Sequence, residues 1–174
     1  MKSNIETSAT VVLVSKVGNS VVNGIDVSEI VELFSSLGYE CEINARIVGT
    51  SGMEHHFDIL ARRGTESIVI DMLAYRKSLL DTIATEEESV EQIWSTAVQM
   101  RAKAWDCKLY YTIILHLTSN LSAEENDVIS PSEDYNAMLR DDLGRMRIDL
   151  IQSSNIQGVV PRLKSMLYRT EVVA

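Results

Sequence analysis

The alternation of hydrophobic and polar positions is clearest over residues 41–73, where it predicts three successive β-strands. Residues 41–47 and 55–62 alternate with a period of two, which is typical of half-buried strands. Residues 67–73 are apolar on both faces, as expected of a central strand. Turn residues separate the three runs, so we expect an antiparallel meander. The predicted apolar faces are Cys41, Ile43, Ala45 and Ile47 in the first strand, and Phe57, Ile59 and Ala61, opposite His56, Asp58 and Leu60, in the second.

Helical periodicity flanks this meander on both sides. Asp26 with Glu29 three residues later predicts a capping box that opens a first helix, and Gly38 is expected to end it. Thr85 with Glu88 predicts a second capping box, at the start of a long helix that continues to about residue 106. The meander is therefore expected to lie between two helices in the chain.

The second half of the chain adds one strand and two further helices. Residues 108–117 predict a strand that returns parallel to the meander through a right-handed crossover. Residues 130–150 carry a helix-start pattern followed by apolar residues at helical spacing. A short final helix is predicted over 162–168, after Gly158 and Pro161 interrupt the tail.

The fold class that these elements predict is α/β, in one domain over 1–174. The core, over about 25–117, has the order α-β-β-β-α-β, which gives a mixed sheet flanked by helices. A helical C-terminal extension is expected over about 130–170. Residues 10–16 are β-branched and predict an edge strand or an arm packed against a partner.

Length, charge and cysteine usage narrow the functional classes. A chain of 174 residues can build one well-buried domain. Its 25 acidic against 16 basic residues give a net charge of −9, which argues against a broad basic face for nucleic acid. No apolar run approaches the ~20 residues that cross a bilayer, and the first residues do not form a secretory signal. Cys41 and Cys107 have no metal-binding spacing, which favours reduced thiols in a cytoplasmic protein.

Two acids are the strongest candidates for chemistry, because each lies inside a predicted strand. An unpaired carboxylate there is costly, so Asp58 and Asp71 each need a metal, a cation or a hydrogen-bond donor. A relic pair, satisfied by neighbouring Arg or Ser side chains, is the alternative. His55 and His56 begin the second strand. We favour a structural histidine bonded to the 49–52 turn over a metal ligand.

These residues and the element order resemble the PD-(D/E)XK nuclease-like fold, known from restriction endonucleases. Asp58 matches the first acid of that motif, and Asp71-Met72-Leu73 matches its acid-x-Lys. The run GTSGMEHHFD, which ends at Asp58, also resembles a segment of archaeal RecB-family predicted nucleases. That group includes the archaeal TATA-binding-protein-interacting protein. The resemblance covers roughly residues 25–117 and adds specificity to an otherwise weak Asp/Asp spacing.

The resemblance implies a Mg²⁺ site built from oxygen ligands. Asp58 and Asp71 would hold the ion, and the backbone carbonyl of Met72 would add a third oxygen. Members of the superfamily often contribute another acid from the first helix, and Glu29 or Glu32 is the candidate here.

The same resemblance exposes a departure, since Leu73 stands where the motif has its lysine. That lysine would orient the attacking water and stabilise charge that develops on the phosphate. Some members carry it on a neighbouring element instead. Lys77, Lys103 and Arg101 are the candidates for such a migrated cation.

The departure favours a catalytically degenerate protein that acts as an interaction or regulatory module. Its partner would be a basic DNA-binding protein such as a transcription factor, for which an acidic surface can compete with DNA. The alternative is a Mg²⁺-dependent DNA endonuclease with a migrated lysine, and a stable domain whose acids bind nothing is the third outcome. A homodimer is expected, through residues 11–14 or the helix over 138–146.

Overall fold

The computed structural model describes residues 20–75, 86–118, 133–153 and 155–171. A two-stranded hairpin precedes the first helix, and a five-stranded sheet with three more helices follows. The strands are β1 (Val21–Val22), β2 (Ile25–Asp26), β3 (Glu40–Val48), β4 (Glu54–Arg63), β5 (Glu66–Tyr75), β6 (Tyr111–Thr118) and β7 (Ile148–Ser153). The helices are α1 (Ser28–Ser36), α2 (Glu86–Asp106), α3 (Glu133–Arg145) and α4 (Ile156–Glu171).

The large sheet has the strand order β3-β4-β5-β6-β7. Strands β3, β4 and β5 form an antiparallel meander, whereas β6 is parallel to β5 and β7 is parallel to β6. The predicted meander and the parallel return of the next strand are both confirmed. The chain is an α/β protein with a mixed sheet flanked by helices.

Helices cover both faces of the sheet, and each face has its own hydrophobic core. Strand β5 divides its side chains between them: Ile70 packs on the α1–α4 face and Val69 on the α2–α3 face. The helical side chains buried on the first face are Ile30, Leu33 and Phe34 of α1 with Val159, Leu163 and Leu167 of α4. Those on the second face are Val90, Ile93, Ala97, Met100 and Ala104 of α2 with Leu139 and Leu143 of α3.

Strands β3 and β4 change faces along their length, which the predicted alternation does not anticipate. Ile43 packs on the α1–α4 face, but Ala45 packs on the α2–α3 face, and Asn44 between them has φ of 54°. In β4, Phe57 lies on the α2–α3 face and Ile59 on the opposite one. The prediction that Phe57 and Ile59 share a face is therefore wrong. The change of face falls at Asn44 in β3 and at Asp58 in β4.

The first helix begins later than its predicted capping box implies. Helix α1 starts at Ser28 after Val27, and no side chain caps it. Asp26 is paired with Val21 in the hairpin, and its carboxylate accepts the Ser28 N–H at 2.9 Å. The predicted Asp26 capping box is thus wrong, because Asp26 is the last residue of the hairpin and not the N-cap of the helix. Gly38, with φ of 81°, does follow the helix end as expected.

The C-terminal part of the chain is not the purely helical extension that the sequence predicts. Helix α3 ends at Arg145, and Ile148–Ser153 adds β7 to the sheet. Apolar residues at spacings of three and four continue through this strand, which imitates a longer helix. Helix α4 begins at Ile156 rather than 162 and contains Pro161. The Asn155 side chain accepts the Gly158 N–H at 2.8 Å and caps this helix.

Several sequence predictions lie outside the described residues. These are the strand over 10–16, Thr85 as the first residue of the second capping box, Lys77, and the helix start at 130–132. Within the described parts, no helix combines the length and the apolar character needed to cross a membrane.

Candidate active site

The candidate site lies where β4 and β5 separate. The last pair of the β4–β5 ladder joins Ile59 to Ile70, and one residue beyond it stand Asp58 and Asp71. Here the carboxylates replace the missing ladder bonds. The Met72 N–H donates to Asp58 Oδ2 at 2.6 Å, and the Asp58 N–H donates to Asp71 Oδ1 at 3.3 Å. The two acids that the sequence singles out are therefore brought together at one point of the sheet.

Helix α2 supplies the cation of this site. The Lys103 Nζ lies 2.6 Å from Asp71 Oδ2 and 2.9 Å from the His56 carbonyl oxygen. It also lies 5.0 Å from the centre of the Phe57 ring. An ammonium group has three N–H donors, and these contacts use two of them. As far as the described residues go, one donor of Lys103 therefore remains to meet a ligand.

The site has more negative than positive charge. Burial raises the pKa of Asp58 above its ordinary 3.8, and the nearby Asp71 carboxylate raises it further. The Met72 N–H and the Lys103 ammonium act in the opposite direction but do not cancel the effect of burial. Two carboxylates facing one ammonium carry a net negative charge, so a cation bound here would be stabilised.

The Lys103 ammonium approaches Asp71 on the same face of the sheet as Leu73. Leu73 is two residues after Asp71 on β5, so both side chains project to the same face of the sheet. Leu73 packs in the core under α2. Lys103 comes down from α2 onto that same face. The Lys103 ammonium therefore lies on the face of the sheet to which Leu73 projects.

Of the remaining predicted residues, those in the described parts of the chain do not join this group. Glu29 and Glu32 are exposed on α1, which packs against the opposite face of the sheet from α2. Arg101 lies two residues from Lys103 and therefore on another side of the helix, where its guanidinium is 5.3 Å from the Trp105 ring. Its Nη1 is buried without a hydrogen-bond partner among the described residues. Lys77 lies outside the described residues.

The donor set fits a hard divalent cation that keeps several waters. Within the described residues there is no group of three or more His, Cys, Asp or Glu side chains that could hold a metal ion. Asp58 and Asp71 therefore offer two carboxylates. In a strand the N–H and C=O of one residue point to the same side, so the Met72 carbonyl faces β4, as its N–H does. Two carboxylates and a carbonyl suit Mg²⁺, which is often bound through one or two carboxylates.

A second cluster fixes the end of α2 close to this site. The Asp106 carboxylate accepts hydrogen bonds from Thr50 Oγ1 at 2.8 Å, the Ser51 N–H at 2.9 Å and Ser51 Oγ at 2.5 Å. Its Oδ2 also lies 2.7 Å from His55 Nε2. The Asp106 carbonyl accepts the Thr50 N–H at 2.9 Å. We call Asp106 together with Gly49, Thr50, Ser51 and His55 the α2 anchor.

The α2 anchor explains most of the GTSG…H run that the sequence singles out. The Ser51 hydroxyl, the His55 ring, the Ser51 N–H and the Thr50 hydroxyl, in that order of effect, hold the pKa of Asp106 well below its usual range. A Cβ on Gly49 would overlap the Asp106 carboxylate, so any other residue there would displace that carboxylate from its donors. The His55 ring bonds Asp106 rather than the 49–52 turn that the sequence favoured as its partner.

Sequence reasoning missed Asp106, although a signal for it was present. An acid in the last turn of a helix opposes the negative end of the helix dipole and therefore needs donors of its own. Asp106 ends the predicted long helix, and a run rich in hydroxyl and N–H donors stands at the 49–52 turn. Because Asp106 and this turn are far apart in the chain, the sequence does not indicate that they pair.

Comparison with models of protein families gives no match. Comparison with curated proteins gives none either. Among solved structures, the chain is similar to "Crystal Structure of Protein of Unknown Function AF1548", at 17% identity and a TM-score of 0.42. The similarity covers 71% of this chain and 54% of that one, so it spans about half the length of that protein. None of these comparisons bears on function, so the evidence for a function is the geometry of the site.

Proposed function

We propose that the protein is a Mg²⁺-dependent nuclease of the PD-(D/E)XK class, with its lysine moved from β5 to α2. The observation that carries this proposal is the 2.6 Å contact between Lys103 Nζ and Asp71 Oδ2. It places an ammonium beside the two acids that match the motif. The α1-β3-β4-β5-α2-β6 order supports a restriction-endonuclease-like core under the same proposal.

The substrate is a phosphodiester of DNA. Asp58 and Asp71 would hold the metal through carboxylate oxygens, and the Met72 carbonyl would add a ligand from the same strand as Asp71. When bound, Mg²⁺ polarises the phosphate and makes a nearby water more acidic. Hydrolysis joins the water oxygen to phosphorus and breaks the bond to the leaving sugar oxygen, which takes up a proton.

Lys103 acts on the phosphate through its remaining N–H. Its ammonium is held by the Asp71 carboxylate and the His56 carbonyl, so it needs little reorganisation when charge develops on the phosphate oxygens. Its side chain is 28% exposed, against 14% for Asp71, so the ammonium is within reach of a bound substrate. Leu73 contributes packing rather than chemistry.

The deciding experiment is cleavage of linear and supercoiled DNA by the purified protein with Mg²⁺ or Mn²⁺. We expect cleavage that is lost in Asp71→Asn and reduced by ~10²–10³-fold in Lys103→Met, the usual effect of removing one charge-stabilising donor. Lys164→Met on the exposed part of α4 is the matched control and should cleave like the natural protein. Absence of cleavage across double-stranded, single-stranded and nicked DNA with both metals would refute the proposal.

An interaction module for a basic DNA-binding protein is the second candidate, and the net charge of −9 favours it. Its binding would weaken steeply with salt and would be unaffected by Asp71→Asn or Lys103→Met. Retention of a basic partner by both variants, with no cleavage by the natural protein, would support this candidate over the nuclease.

A further inference from the structure

We propose that Asp106 is a positioning residue that fixes the last turn of α2 so that Lys103 meets Asp71. The inference rests on the proposed nuclease function, since it assigns a role within the same site. Among the described residues, the Asp106 side chain forms no hydrogen bond with Asp58, Asp71 or Lys103, so it would act only through the position of Lys103.

The contacts form a closed loop between α2 and the β3–β4 hairpin. Lys103 and Asp106 are about one helical turn apart on α2. They grip adjacent residues of β4, because Lys103 Nζ bonds the His56 carbonyl and Asp106 bonds the His55 ring. The same hairpin carries Asp58 two residues further on. The α2 anchor therefore sets the height and rotation of Lys103 relative to both acids.

Core packing of Met100 and Ala104 holds this part of α2 on the sheet, and the donors around Asp106 fix the position of its last turn. The Asp106 carboxylate stands at the negative end of the helix dipole, which disfavours it. The hairpin offsets this with two hydroxyls, one N–H and one imidazole nitrogen, from residues more than 50 positions earlier in the chain. The close approach of Gly49 shows that the hairpin backbone is shaped around this one carboxylate.

The first test compares Asp106→Ala with Asp106→Asn. An asparagine keeps the carbonyl oxygen that accepts from Thr50 and the Ser51 N–H, and its amide can donate to the Ser51 hydroxyl and a neutral His55. We expect a kcat about tenfold to a hundredfold lower in Asp106→Ala, since small misplacements of a catalytic group have effects of this size. KM should change by less than about threefold, and Asp106→Asn should restore most of kcat.

Loss of stability alone is controlled by Thr112→Val. The buried Thr112 hydroxyl donates to the Arg147 carbonyl at 2.8 Å, away from the α2 anchor, and the substitution removes this hydrogen bond. Thr112→Val should lower the melting temperature without lowering kcat. An equal loss of kcat in Thr112→Val and Asp106→Ala at matched stability would overturn the positioning role.

A second readout does not depend on activity. Acylation of lysines, mapped by mass spectrometry, compares Lys103 with the exposed Lys164 in the same sample. We expect Lys103 to react more slowly than Lys164 in the natural protein and in Asp106→Asn. In Asp106→Ala the ratio should rise by at least about threefold, because Lys103 leaves Asp71 more often.

The two failures are distinguishable. If the natural protein cleaves nothing but the Lys103 ratio rises in Asp106→Ala, the nuclease proposal fails and the positioning of Lys103 stands. If the natural protein cleaves DNA but the ratio and kcat are unchanged in Asp106→Ala, the positioning role is refuted and the nuclease stands.

Discussion

The Lys103 ammonium lies 2.6 Å from the Asp71 carboxylate, although the two residues are 32 positions apart in the chain. Lys103 comes from the helix that covers the sheet, and Asp71 from a strand beneath it. The contact places a cation at the point where β4 and β5 part and where two carboxylates would otherwise repel each other. It also occupies one of the carboxylate oxygens that a metal would use.

Lys103 should therefore compete with a divalent ion for Asp71. We predict that Lys103→Met binds Mg²⁺ or Mn²⁺ about tenfold more tightly than the natural protein, a difference of about 1.4 kcal/mol. Calorimetric titration measures it, with Lys164→Met as the control of equal charge change. Unchanged or weaker metal binding in Lys103→Met would show that the lysine and the ion do not share this carboxylate.

Asp58 should weaken the folded state when no metal is bound. Its pKa is raised by burial, so its charged form is less favourable in the folded protein than in the unfolded one. The contribution is absent at low pH, where both states are protonated, and stability is lost as the pH rises from 3.8 through the folded pKa.

Asp58→Asn should consequently be more stable than the natural protein at pH 7 without divalent ions. Removing one poorly compensated buried charge should raise the free energy of unfolding by about 1 kcal/mol, which corresponds to a melting temperature about 2–4 °C higher. The gain should vanish near pH 3, and added Mg²⁺ should stabilise the natural protein only. A lower melting temperature for Asp58→Asn at pH 7 would contradict the assigned burial.

A side chain at Gly49 should destabilise the protein. A Cβ at this position would press on the Asp106 carboxylate, so in Gly49→Ala that group must move and give up hydrogen bonds. We expect a loss of about 2 kcal/mol, or about 4–8 °C in melting temperature. Gly144→Ala on α3 is the matched control, because its Cβ would have open space within 4 Å and alanine favours helix. Equal melting temperatures for the two variants would rule out this close approach.

The α2 anchor should make the fold sensitive to acid. Hydrogen bonds hold the pKa of Asp106 below its ordinary 3.8, so the stability it contributes is present above pH 3.8 and is lost as the pH falls towards the folded pKa. The difference in unfolding free energy between the natural protein and Asp106→Asn should shrink as the pH falls from about 5 to about 2. Denaturant titrations at each pH measure it; a constant difference would disprove the linkage.

Much of the fold follows from local patterns. The meander over β3–β5, the long helix α2 and the parallel return of β6 were all predictable, because alternation and capping are properties of neighbouring residues. The errors share one cause. Asp26 pairs in a hairpin instead of capping a helix, and β7 has apolar spacing that also suits a helix. Strand pairing therefore determined the structure where the local pattern was ambiguous.

The site was predictable in part, for a similar reason. Asp58 and Asp71 could be found because an acid inside a strand is conspicuous on its own. Lys103 could be given only as one of three candidates, since its approach to Asp71 depends on how far α2 crosses the sheet. Asp106 was not found, because its position at the end of a helix indicates a need for donors but does not identify partners more than 50 residues away.

The motif lysine and Lys103 should be interchangeable. Leu73 and Asp71 share a face of β5, and Lys103 reaches that face from above. In the double variant Leu73→Lys/Lys103→Met, the new lysine would extend from β5, and no other ammonium group would lie beside Asp71.

We therefore expect the double variant to recover at least about tenfold of the DNA cleavage lost in Lys103→Met. Leu73→Lys alone should not gain activity, because two ammonium groups would crowd one carboxylate and repel each other. Thermal unfolding of all three variants controls for the half-buried position of Leu73. If the double variant stays as inactive as Lys103→Met while remaining folded, position 73 does not face the reacting phosphate, and Lys103 acts from a place that the superfamily motif does not describe.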